Sequence, residues 1–346
     1  MRMKEARVAA IEWVMNHASR EDGFRGAYIS GSTIELPDNA ELPSYSDIDV
    51  VVVIALDELP LKLGKFIYRE TLIEVTYLSW TQLTSIKEVL KSYHLAGSFR
   101  MDTIISDPTG HLRKLQKAVS RYYADMFWVR HRCNNAIQRI EEGLRAIDAS
   151  VPLYDLVTSW LFPTGITTHV ILVAALRNPT VRLRYLVARD VLIEYGHADF
   201  YTDLLNLLGC THLSPNCVEY HLDALSRTFD VASVEGKTPF FFSTDIAATS
   251  KRIAIEGSRH LIRTGNHREA VFWIVATFAR CHKILATDAP SLHHEHSYAF
   301  EAMIADLGIT STDILIRRAK DVIQFLPRLR HTTEALLLAN PSIDPK

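Results

Sequence analysis

The sequence predicts an α+β protein: an N-terminal mixed sheet with flanking helices over residues 1–110, then an all-α domain over residues 111–346. Three observations predict it. Residues 50–54, Val-Val-Val-Val-Ile, are β-branched and apolar on both faces, as a central strand covered on both sides requires. Residues 71–78 read as a second strand with a single carboxylate, Glu74, which alternates with Ile73 and Val75. From about His111 the period changes, long helical patterns dominate and strand signals nearly vanish.

The elements follow in order. Residues 3–18 place Val8, Ile11, Val14 and Met15 at roughly helical spacing, ending before the polar turn 19–23. Ala27-Tyr28-Ile29 is a short strand, and Gly31-Ser32 turns out of it. Residues 33–45, with Pro37, Asn39 and Pro43, form a loop in which Glu35, Asp38 and Glu41 are solvated. Residues 59–68 are a loop or short helix, 81–93 a helix, and 101–108 a further strand closing into a turn at Asp107-Pro108-Thr109-Gly110. Helices are expected over 111–147, 151–176, 180–195, 199–208, 215–229, 245–264, 267–286, 298–306 and 311–335. Asn178-Pro179, Gly209, Ser214-Pro215 and Gly308 are among the turns between them.

Composition excludes several classes. With 346 residues the chain is long enough for two domains of about 100–200 residues, each with its own core. A net charge of −2 argues against a surface that coats nucleic acid. The four cysteines, Cys133, Cys210, Cys217 and Cys281, show no Cys-x-x-Cys spacing and read as small buried hydrophobes in a reducing compartment. The first residues form an amphipathic pattern broken by Glu12, unlike a signal peptide. Apolar stretches such as residues 170–176 fall short of the roughly 20 residues of a membrane span, so the expected location is the cytoplasm.

One stretch carries chemistry. Asp47-Ile48-Asp49 stands at the head of the apolar run, and period two places both aspartates on one strand face. Adjacent carboxylates repel unless a cation lies between them, and hard oxygen ligands suit Mg²⁺ or Mn²⁺ better than zinc. Upstream, Gly31-Ser32 offers a glycine turn and a hydroxyl where a phosphate can approach backbone N–H groups. Asp-x-Asp alone is common at strand starts. Gly-Ser, Ser-Asp-x-Asp and the apolar run in this order are far more specific.

In these motifs the chain resembles the polymerase-β-like nucleotidyltransferase superfamily, and within it the aminoglycoside and lincosamide nucleotidyltransferases. The resemblance covers roughly residues 25–110. It implies that Glu74 is a third acid, which with Asp47 and Asp49 holds Mg²⁺ or Mn²⁺, and that the acceptor's proton goes either to Glu74, as in some branches, or to a base of the helical half, as in some antibiotic-modifying enzymes. It implies that Gly31, Ser32 and Ser46 anchor the phosphates of a nucleoside triphosphate, ATP foremost. It also implies that the helical half closes one side of a cleft. Between residues 111 and 132 that half carries six Arg and Lys, Arg113, Lys114, Lys117, Arg121, Arg130 and Arg132, against the single acid Asp125. Arg130 and Arg132 are the candidates for phosphate contacts.

The expected activity is therefore transfer of a nucleoside monophosphate to a hydroxyl of a small molecule, by resemblance an aminoglycoside-type antibiotic, with release of pyrophosphate. Two alternatives stand beside it: AMPylation of a protein partner, as in toxin–antitoxin pairs, and a catalytically silent nucleotide-binding module. Other polar clusters weigh less. Thr180 reads as a helix N-cap beside solvated arginines. His293-His294-Glu295-His296 lacks the i, i+4 pair of a helical zinc motif and follows Pro290, a loop signal. Glu256, Arg259, His267, Arg268 and Glu269 are candidates to line an acceptor pocket.

Overall fold

The computed structural model describes residues 1–345. The chain divides into two compact units: Met1–Arg132 with Phe240–Asp245 and residues 344–345, and Cys133–Pro239 with Ile246–Ile343. The fold class is the expected one, a mixed five-stranded sheet with helices in the first unit and helices in the second.

The first unit contains α1 (Met3–Asn16), β1 (Phe24–Ser30), β2 (Ile48–Ile54), β3 (Gly64–Tyr68), β4 (Thr71–Ser79), α2 (Ile86–Lys91), β5 (Ile104–Ser106), α3 (His111–Tyr122) and the first turns of α4 (Met126–Arg145). Strand order is β3-β4-β2-β1-β5. β2 and β4 are parallel, and the other pairs are antiparallel. Period two divides the sheet between two cores. Ile48, Val50, Val52 and Ile54 pack with Ile73, Val75 and the α1 residues Met3, Ala6, Ala10, Trp13 and Val14. Tyr28 and Val53 pack with Val89 and Leu90 of α2 and Leu112, Leu115 and Val119 of α3, with Val51 against them. Each fully buried aliphatic side chain contributes about 1.5–3 kcal/mol. A one-residue slip of β2 would turn that set away from α1 and drive Asp49 into the α1 core, so the pattern fixes the register.

Several local expectations are revised. Residues 64–68 are a strand, hairpin-paired with β4 through Arg69 and Glu70, whose φ values are 45° and 63°. Positive φ at both turn residues is the twist a tight hairpin needs, and glycine or asparagine usually signals it. The expected helix 81–93 resolves into a 3₁₀ turn, Trp80–Leu83, followed by α2. The expected helix 111–147 is broken into α3 and α4. The compact first unit extends past residue 110 because Leu112, Leu115 and Val119 complete the core on one face of the sheet. Glu35 and Asp38 are not merely solvated: Glu35 pairs with Arg100, and Asp38 pairs with Arg7 at 2.5 Å. Arg7 also donates to the carbonyls of Thr33, Ile34 and Leu36, so the loop after β1 is tied to α1.

The second unit holds the rest of α4, then α5 (Leu153–Ala174), α6 (Arg184–Glu194), α7 (Ala198–Leu208), α8 (Pro215–Glu235), α9 (Gly257–Arg263), α10 (His267–Asp288), α11 (Pro290–Asp306) and α12 (Thr312–Ala339). α5 and α10 are long and apolar enough to cross a membrane, which short apolar runs in the sequence had not suggested, and 72% and 78% of their apolar windows are buried inside the protein. The expected helix 245–264 is split among 3₁₀ turns, a π-helical segment at Arg252–Glu256 and α9. Pro290 occupies the first turn of α11, where its missing N–H costs nothing, so residues 293–296 are helical rather than a loop. α6 begins at Arg184, so Thr180 is not its cap; the Thr180 carbonyl instead meets His169 Nε2 at 2.9 Å.

Candidate metal and phosphate site

The sheet brings the three expected acids together. β2 and β4 run parallel in a register that sets Asp49 beside Glu74. Asp47 precedes β2 by one residue. Carboxylate oxygens of Asp47, Asp49 and Glu74 all lie within 4.8 Å of one another. Ligand oxygens about 2.1 Å from one ion are about 3–4 Å apart, so the three carboxylates are spaced near what a single cation requires.

Gly31 follows β1 in the left-handed region, φ 78°, and packs directly on Asp49. A Cβ built on it would lie 1.7 Å from Asp49 Oδ2 and 2.5 Å from Cγ. Only a glycine lets the turn and the carboxylate share this space. The expected pair, a glycine turn and the acids, is thus one cradle.

The acids are balanced by lysines. Lys62 and Lys65 both donate to Glu74, one to each oxygen. Lys65 Nζ also lies 3.4 Å from Asp47 Oδ2 and 2.7 Å from Asp245 Oδ1. Burial pushes the Asp47 carboxyl up to about 6, with Lys65 opposing and Glu74 adding to the rise. Burial also drives Asp49 well above the usual carboxylate range, helped by the charges of Asp47 and Glu74. Glu74 goes the other way. Burial opposes its ionisation, but Lys65 and Lys62 outweigh that and hold it at about 2. Glu74 therefore stays charged and is a weak proton acceptor, which suits a ligand better than the general base the resemblance implied. Four carboxylates, including that of Asp245, face two ammonium groups. The excess negative charge and the hard oxygen donors fit Mg²⁺ or Mn²⁺.

The pH consequence has a definite sign. Asp47 and Asp49 have folded values above the unfolded value of about 3.9, so ionising them costs the metal-free protein stability. That cost is relieved as pH falls through about 6. Glu74 contributes stability above its unfolded value of about 4.3 and loses it as pH falls toward about 2. Between pH 8 and 5 the melting temperature in chelator should rise, and the extra stability given by Mn²⁺ should shrink, because protons compete for the same oxygens. Melting curves with and without Mn²⁺ across that range check this.

The other expected residues are placed unequally. Ser32 is exposed beside Gly31, and Ser46 is half-buried with its N–H donated to the Pro43 carbonyl at 3.0 Å. Arg130 is exposed on α4. Arg132 is buried, 1% exposed, so it is not presented as a phosphate contact. Its guanidinium donates to the carbonyls of Leu90, at 3.2 Å, and Tyr123, at 2.5 Å, and stacks over the Tyr123 ring. Of the proposed acceptor-pocket residues, Glu269 is buried and takes hydrogen bonds from Arg189, at 2.7 Å, and Tyr201, at 2.8 Å, and Arg259 pairs with Asp223 at 2.9 Å.

Comparison with known proteins adds little to this geometry. No family model and no curated protein matches the chain. The crystal structure of a nucleotidyltransferase-like protein from Exiguobacterium sibiricum is similar over 75% of this chain and 91% of its own, at 13% identity and a TM-score of 0.28. A likeness that slight carries no argument, and the functional reading rests on the chain's own residues.

Lys62, Lys65 and Asp245 were not singled out in the sequence. Lys65 had a signal: it is the register partner of Glu74 across the β3–β4 hairpin, visible once residues 64–68 are read as a strand. Asp245 had none, because it meets Lys65 from 180 positions away. The segment Phe240–Asp245 belongs to the first unit, where Thr244 closes over Gly64 so tightly that a Cβ there would lie 1.7 Å from its Oγ1.

Proposed function

We propose that the chain is a divalent-metal-dependent nucleotidyltransferase. It moves a nucleoside monophosphate, AMP from ATP foremost, to a hydroxyl of a small molecule and releases pyrophosphate. The observation that carries this reading is the convergence of Asp47, Asp49 and Glu74 on the adjacent parallel strands β2 and β4, with Asp49 seated against the Gly31 turn. Mg²⁺ or Mn²⁺ bound there would stabilise the attacking and leaving oxygens of an in-line displacement. Asp47, Asp49 and Glu74 hold the ion. Gly31 and Ser32 offer backbone N–H groups and a hydroxyl to the phosphates, with Ser46 beside the acids. Lys62 and Lys65, paired with Glu74 in the metal-free protein, keep positive charge beside the position of the triphosphate. ATP as donor and an aminoglycoside-type acceptor follow from the resemblance of residues 25–110.

Nucleotide and metal together should stabilise the folded protein. At 100 times the dissociation constant, a ligand adds about 2.7 kcal/mol, which raises the melting temperature of a domain this size by about 5–10 °C. Melting curves with ATP and Mg²⁺ should show that rise, and Asp47→Asn should remove its metal-dependent part. No stabilisation by ATP or GTP with either Mg²⁺ or Mn²⁺ would leave the chain without a nucleotide site.

A further inference from the structure

Within the second unit, Cys217 and His221 lie one turn apart on α8, and Asp306 is the last residue of α11. Cys217 Sγ, His221 Nε2 and an Asp306 oxygen lie within 4.8 Å of one another. Asp306 Oδ2 is 3.5 Å from the sulfur and 2.7 Å from the imidazole nitrogen. We propose that these three residues form a zinc site, distinct in position and donor chemistry from the carboxylates of the first unit.

The donor set decides the metal. One thiolate, one imidazole and one carboxylate are the ligands zinc takes in tetrahedral sites, whereas Mg²⁺ and Ca²⁺ reject sulfur. The geometry is close to what zinc needs. Bond lengths of about 2.3 Å to sulfur and about 2.1 Å to oxygen put a tetrahedral sulfur–oxygen edge at about 3.6 Å, against the observed 3.5 Å. The corresponding nitrogen–oxygen edge is about 3.4 Å. The 2.7 Å His221–Asp306 hydrogen bond therefore opens by about 0.7 Å when the ion replaces the proton. Asp306 can make that move, because it is exposed at a helix end. His221 is 1% exposed and fixed on α8, and Cys217 is half-buried, so two ligands are rigidly spaced and the third adjusts. Binding releases the thiol proton of Cys217 to solvent, and His221 binds as the neutral imidazole with its remaining proton on Nδ1, which frees Nε2 for the ion. Three protein ligands leave the fourth tetrahedral position for water.

A plain ion pair between His221 and Asp306, with Cys217 merely adjacent, is the competing account. Cobalt(II), a spectroscopic stand-in for zinc, separates the two in the full-length chain after chelation and reduction. The proposal expects a near-ultraviolet sulfur-to-cobalt charge-transfer band that saturates at one equivalent and is bleached by Zn²⁺. Cobalt held by Asp47, Asp49 and Glu74 has no thiolate and cannot give that band. Cys217→Ser should abolish it, and Asp306→Asn, at an exposed position that does not threaten folding, should weaken cobalt binding at least about tenfold. No band in the wild-type chain, a band that survives Cys217→Ser, or unchanged affinity in Asp306→Asn would each overturn the site.

Discussion

Asp49→Asn should lower nucleotidyl transfer by at least about 10²–10³-fold, the scale on which removal of one preorganised electrostatic group acts. It should do so without unfolding the protein. Asp49 is penalised in the metal-free state by burial first and by the charges of Asp47 and Glu74 next. Asparagine keeps its shape and removes that repulsion. The metal-free melting temperature should therefore hold or rise while activity is lost, the trade expected where function maintains an unfavourable cluster of like charges. Melting curves in chelator and turnover in Mg²⁺, measured on the same preparation, check both halves. A fall in both would mean that Asp49 serves the fold.

Gly31→Ala is expected to be nearly as severe, for a different reason. Holding φ at 78° costs alanine about 1–2 kcal/mol, and its Cβ cannot coexist with Asp49 Oδ2 at 1.7 Å. Either the turn or the carboxylate must move. Misplacing a reacting group by about 1 Å is enough to cost about 10²-fold. Gly110→Ala is the control. Its φ is 71°, and nothing lies within 4 Å of the Cβ position. It should lose comparable stability and keep full turnover. Equal activity in the two variants would detach the Gly31 turn from the chemistry.

The parts of the fold that were legible share a cause. β2 and β4 announce themselves because both are apolar and β-branched, and a buried parallel pair requires that. Asp47, Asp49 and Glu74 were legible as the acids set in those apolar runs, and Gly31 as the turn out of the short strand before them. What the pattern could not supply was the register that makes Asp49 and Glu74 neighbours, since strand pairing is a long-range property. β3 was hidden by its turn, because Arg69 and Glu70 take up positive φ without the residues that signal it. Arg132 looked like a surface cation in a basic run, but its stem is buried and its guanidinium serves the carbonyls of Leu90 and Tyr123. Charge alone does not tell a phosphate contact from a structural cap. Pro290 equally signals a loop or a helix start, and here it opens α11, ahead of the helix expected from residue 298. Asp245 was beyond reach, because no local pattern links it to a lysine 180 residues earlier.

The claim at the centre is that Asp47, Asp49 and Glu74 make a catalytic metal site. The most direct test is pyrophosphate release from ATP in Mg²⁺ or Mn²⁺ across a panel of acceptors: antibiotics, nucleosides, sugars and proteins. The account predicts acceptor-dependent release that disappears in chelator, in Asp47→Asn and in Asp49→Asn, with a small-molecule hydroxyl as the productive acceptor. Turnover on a protein alone would redirect the reading to AMPylation. Release that persists undiminished in both aspartate variants would contradict it outright.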